Sequence, residues 1–238
     1  MKIGLASYKF IDNDIDFNIS QIKKALESAN GKADIVCFGE SFLQGFDSLS
    51  WSFESDKDIA ISQDSTTMQE ICALSVEFGV DLLIGYIERD REALFSSCAV
   101  IEKGKIIHNY RRVSKGWKQY DVTDFHYQEG NEIKPFSYRG KDFLLAICGD
   151  LWVYPERFKT KCIVLWSVFC DFEEEHYEEF EKEYAEQAAK VADDVLMINS
   201  LSDGYEVNSV RGGTFHFCRG KIKAQTANAK EDMLFVEL

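Results

Sequence analysis

Proline is nearly absent from this sequence: Pro135 and Pro155 are its only two. Neither lies in a Gly/Ser-rich stretch of the kind that separates domains, so residues 1–238 read as a single domain. Histidine is scarce as well, with four residues in no metal-ligand spacing, and none of the seven cysteines forms a CxxC pair. A zinc cage and a disulfide framework are therefore not expected. There is no glycine-rich phosphate loop. No apolar run approaches the length of a membrane span, and the opening Met1–Ala6 leads into a strand without a signal-peptide core. The reading is a cytoplasmic protein with reduced thiols and no membrane partner. Positive charge is also short: the net formal charge of −14 argues against nucleic acid.

What is present is a repeated alternation of buried strands and amphipathic helices. Strands are predicted over 2–8, 34–39, 80–87, 143–147, 162–169, 195–199 and 233–237. Hairpins are predicted over 95–112 and 214–227. Helices are predicted over 18–29, from Thr66 with Gln69 as a capping box and Met68, Ile71, Cys72 and Val76 inward, and over 173–191. The order strand, helix, strand, helix, strand, hairpin occurs twice. Strand–helix–strand units imply parallel pairing, and the doubled plan predicts an α/β fold, a four-layer α-β-β-α sandwich.

The stretch that organises the chain is Phe143–Glu156. Five apolar residues, Phe143 to Ile147, end in Cys148-Gly149-Asp150-Leu151-Trp152, and Pro155-Glu156 suits a helix start. A thiol at the mouth of such a turn is held rigidly, and backbone N–H groups there can face a developing oxyanion. Glu40 likewise ends a strand, Asp34–Gly39. Carboxyl ends of parallel strands are where ligands bind, so the two residues can share one site, with Glu40 as the base that takes the Cys148 proton. The basic run Tyr110–Lys118 offers a cation to stabilise thiolate and oxyanion. His126, in the aromatic segment 113–132, is the one histidine placed to join.

In order along the chain, Phe38-Gly39-Glu40, Tyr110-Arg111-Arg112 and Ile147-Cys148-Gly149-Asp150-Leu151-Trp152 with Pro155-Glu156 resemble the landmarks of the nitrilase, or carbon–nitrogen hydrolase, superfamily. The resemblance covers nearly the whole chain. It implies an αββα sandwich and a Glu/Lys/Cys triad that acts on non-peptide C–N bonds of small amides, N-carbamoyl compounds or nitriles through a thioester or thioimidate, with no cofactor. Carried over by position, Glu40 is the base, Cys148 the nucleophile and Gly149 an oxyanion donor. The usual Tyr-Arg-Lys reads Tyr-Arg-Arg here, so Lys115 takes the cation role, with Arg112 as the alternative. Asp124, with Glu129 behind it, is the second acid, and Trp117, Phe125, Tyr127 and Trp152 wall the pocket. The chain ends before the extension that many members use in dimer contacts, which leaves a homodimer open. A degenerate member that binds a small carbonyl compound or a partner protein without turnover is the alternative function.

Overall fold

In the computed structural model, which describes residues 1–202 and 209–238, two six-stranded sheets lie face to face with helices outside. The strands are β1 (Lys2–Ser7), β2 (Ile35–Cys37), β3 (Asp81–Asp90), β4 (Ala93–Glu102), β5 (Lys105–Arg111) and β6 (Phe136–Tyr138). The rest are β7 (Lys141–Ile147), β8 (Ile163–Val168), β9 (Asp194–Asn199), β10 (Thr214–Cys218), β11 (Lys221–Gln225) and β12 (Asp232–Glu237). The first sheet runs β12-β1-β2-β3-β4-β5 and the second β6-β7-β8-β9-β10-β11. In each, three central strands are parallel and the flanking ones antiparallel. The two sheets thus share one plan, as the doubled order of elements predicts.

Strand alternation explains the layers. Ile35, Cys37 and Leu83 face the second sheet, in one core with Phe143, Leu145, Ile147 and Leu165. Val36, Leu82 and Ile84 face outward and are covered by Ile19, Ile22 and Leu26 of α1 (Ile15–Ala29) and by Met68, Ile71 and Leu74 of α2 (Thr66–Phe78). Phe180, Ala185 and Ala188 of α3 (Tyr177–Ala189) close the other side.

Several local expectations are corrected. The cap of α2 is Ser65, whose hydroxyl accepts from the Met68 N–H at 3.2 Å, while Gln69 turns back to the Asp64 carbonyl. Val76 is 62% exposed and does not point inward. The helix expected from residue 173 begins at Tyr177, after a 3-10 turn at Glu174–His176.

Candidate active site

The site forms where β2, β7 and β8 end together. The Glu40 N–H donates to the Val168 carbonyl at 3.3 Å, so the residues after β2 lie across the end of β8. This crossing needs two glycines. A Cβ on Gly39 would stand 2.4 Å from Ser200 Oγ, and one on Gly85 would stand 2.2 Å from the Gly39 carbonyl oxygen. Glu40 is 1% exposed. Its Oε1 accepts from Ser96 Oγ at 2.9 Å and from Arg112 Nη1 at 3.0 Å. Its Oε2 is buried and has no hydrogen-bond partner among the described residues.

Cys148 follows β7 with φ +43°, in the left-handed region where a non-glycine residue is strained. The surroundings fix it there. Its N–H donates to the Ser167 carbonyl at 2.9 Å, and its carbonyl accepts from Trp166 Nε1 at 2.9 Å. Behind it, Asp150 opens a single helical turn, Asp150–Val153, and is fully buried. Its carboxylate accepts four hydrogen bonds, from the Ile147, Val113 and Ser114 N–H groups and from the Tyr110 hydroxyl at 2.6 Å. Asp150 thereby ties the Cys148 turn to the segment that follows β5. Burial, and after it the Glu40 charge, push the Cys148 thiol pKa up, and the Arg112 charge opposes them. The thiol is thus neutral around pH 7, beside a carboxylate with one open oxygen.

Arg112 completes the cluster. Its N–H donates to the Ser96 carbonyl at 2.9 Å, one step past the end of β5, so its side chain points inward while that of Arg111 points outward. The guanidinium is buried, donates from Nε to Ser114 Oγ at 2.9 Å and reaches Glu40 through Nη1. Burial opposes its charge, but Glu40, Cys148 and Asp150 outweigh that and raise its pKa.

Of the residues expected at the site, Glu40, Cys148, Gly149 and Arg112 come together. Lys115 does not join them. It is exposed, with its ammonium 5.8 Å from the centre of the Tyr120 ring, and its carbonyl faces Arg112 Nη2 at 3.4 Å. Chain direction is the reason: the Asp150 carboxylate holds the Val113 and Ser114 N–H groups, and the chain has turned outward by residue 115. Asp124 is also exposed and pairs with His126, Oδ1 to Nδ1 at 2.8 Å, so neither is placed as expected. Glu129 binds Lys118 and the Tyr120 hydroxyl. Trp152 is 40% exposed and packs on Trp166, whose indole holds the Cys148 carbonyl. Trp117 and Tyr127 are buried against Trp51, and Phe125 is 75% exposed. Ser96, Ser114 and Ser167 carry no sequence signal that marks them. Asp150 had one, its place two residues after the cysteine.

Known proteins share this arrangement of elements. The chain is 25% identical over 159 residues to a glutamine-dependent NAD(+) synthetase of Thermotoga maritima, an alignment covering 64% of this chain and 26% of the synthetase. It is 24% identical over 151 residues to an (R)-stereoselective amidase of a Pseudomonas species, covering 63% of this chain and 52% of the amidase. It thus spans about a quarter to a half of these curated relatives. Among solved structures, an amidase of Nesterenkonia sp. AN1, bearing acrylamide added at its active-site cysteine, superposes with a TM-score of 0.76 at 15% identity, covering 100% of this chain and 93% of that one. The Carbon-nitrogen hydrolase family profile matches residues 3–159, and the chain belongs to that family.

Proposed function

We propose that the protein hydrolyses a small carboxamide through a thioester on Cys148, with Glu40 as base and Arg112, not a lysine, as the fixed cation. The observation that carries this reading is the open Oε2 of a buried Glu40 whose other oxygen is held by Ser96 and Arg112, beside the partly buried Cys148 thiol. Glu40 takes the thiol proton as Sγ attacks the carbonyl carbon, and the C=O electron pair moves onto oxygen. The Gly149 N–H and the Arg112 guanidinium hold that oxyanion. When the C=O bond re-forms, the C–N bond breaks and the leaving nitrogen takes the proton from Glu40. Glu40 then deprotonates water, hydroxide adds to the thioester, and the acid leaves as the thiol regains its proton. Arginine keeps its charge throughout and donates hydrogen bonds without giving up a proton, so every proton transfer falls to Glu40.

An amide nitrogen as leaving group is supported by the two amidases among the relatives and by the glutamine dependence in the synthetase's name. The side-chain amide of glutamine is therefore the first substrate to try. The test is ammonia release from glutamine and simple aliphatic amides, with hydroxylamine added to trap the acyl group as a hydroxamate. Wild type should give both products and Cys148→Ala neither. Wild type giving neither with any amide would sink the proposal and favour a binding protein without turnover.

A further inference from the structure

Gly149 has no conformational reason to be glycine. Its φ of −63° and ψ of −9° are ordinary right-handed helical values that any residue adopts, and it caps the Asp150–Val153 turn without a side-chain bond. In that conformation alanine is normally the better choice. What glycine supplies here is space. A Cβ at 149 would stand 2.6 Å from Arg112 Nη2, 3.6 Å from Arg112 Cζ and 3.2 Å from Ser114 Oγ. The far end of an arginine usually moves aside for a methyl group, but this one cannot do so freely. It is 4% exposed, and Nε is held by Ser114, Nη1 by Glu40 and Nη2, weakly, by the Lys115 carbonyl.

We propose that Gly149 and Ser114 are positioning residues that together form a socket for a guanidinium, so that the residue after the nucleophile and the identity of the cation are coupled. Arginine at 112 requires glycine at 149; lysine at 112 would not. Ser114 sets the rotation of the planar fork by accepting from Nε. With that edge fixed, Nη1 meets Glu40 and Nη2 lies over Gly149, whose backbone N–H donates to the oxyanion in the proposed reaction. A lysine has neither Nε nor Nη2. It would leave the volume above residue 149 open and the Ser114 hydroxyl without its present donor. This inference rests on the reading of Glu40, Arg112 and Cys148 as the reacting centre.

The experiment is a pair of double-mutant cycles read without substrate: the rate and pH profile of Cys148 alkylation by iodoacetamide, located by mass spectrometry, together with the melting temperature. Gly149→Ala should slow alkylation about tenfold and lower the melting temperature in the Arg112 background, and change the rate less than about twofold in Arg112→Lys. Ser114→Ala should shift the pH profile in the Arg112 background only. If Gly149→Ala fails to fold, folding of Gly149→Ala/Arg112→Lys would carry the same conclusion, and failure of both would overturn it. Equal losses in both backgrounds, or no loss from Gly149→Ala, would also overturn it. Because neither readout needs turnover, a protein that cleaves no amide would refute the proposed function while leaving this coupling open to measurement.

Discussion

Two glutamate–arginine pairs sit back to back at the end of β5, and they are built differently. Arg111 and Arg112, successive residues on opposite faces, meet Glu88 and Glu40 respectively, each glutamate 1% exposed. Ser96 and Ser97 divide in the same way, Ser96 donating to Glu40 and Ser97 to Glu88. Glu88 is saturated. One oxygen accepts from Gln63 and Arg111, the other from Ser97, Asn109 and Arg111 Nε, and the guanidinium lies 4.0 Å from the centre of the Phe95 ring. Glu40 spends one oxygen on its serine and arginine, and the other has no partner among the described residues. A carboxylate with every acceptor site filled is structural. One left half-filled and buried carries the desolvation cost of its unpartnered oxygen, a cost that fits the reacting centre proposed above.

Substitutions can break this contrast, the largest effect coming at Glu40. Glu40→Gln should lower amide turnover by about 10²–10⁴. Removing its negative charge should at the same time let the Cys148 thiol ionise at lower pH, seen as thiolate absorbance appearing earlier in a titration. A fall in turnover with the thiol titration unmoved would separate Glu40 from Cys148. Next, Arg112→Met should reduce turnover about 10²–10³ through the lost oxyanion contact. It should also cost about 3–5 kcal/mol of stability in denaturant titration, because Glu40 is left as a buried, unpaired charge.

The structural pair should respond in stability alone. Glu88→Gln should cost about 2–4 kcal/mol with kcat unchanged. Burial works against the Glu88 charge, but hydrogen bonds from Arg111, Ser97 and Gln63 outweigh it and hold its pKa below the ordinary glutamate value. A depressed folded-state pKa contributes stability that is present above about pH 4.3, the unfolded value, and is lost as pH falls through the folded one. Melting curves against pH should therefore have a shallower acid limb in Glu88→Gln than in wild type. The smallest effects belong to the serines: Ser97→Ala and Ser96→Ala should each cost about 1–2 kcal/mol, and only Ser96→Ala should also reduce kcat.

Much of the frame was legible because it depends on local pattern. The five apolar residues before Cys148 are the buried part of β7, covered on both faces, and the doubled order of strands and helices became two sheets of one plan. The strand ends at Glu40 and Cys148 were legible too, since a carboxylate and a thiol each closing an apolar run stand out in any sequence. The cation was not. Lys115 and Arg112 are three residues apart, and what separates them is a turn whose N–H groups are held by Asp150, in a helical turn 36 or 37 residues further along the chain. Asp124 and Glu129 pair locally instead: their partners, His126 in one case and Lys118 and Tyr120 in the other, lie within the same loop.

By itself the sequence determined the layers, because hydrophobic period and helix length act over neighbouring residues. It also placed Glu40 and Cys148 each at the end of an apolar run. Tertiary structure alone decided which arginine faces Glu40, why residue 149 carries no side chain, and which glutamate keeps an oxygen free. Those outcomes depend on side-chain direction at a strand end and on contacts between residues distant in the chain, Glu40 and Arg112 being 72 positions apart, where sterics and hydrogen-bond saturation act across the assembled sheets.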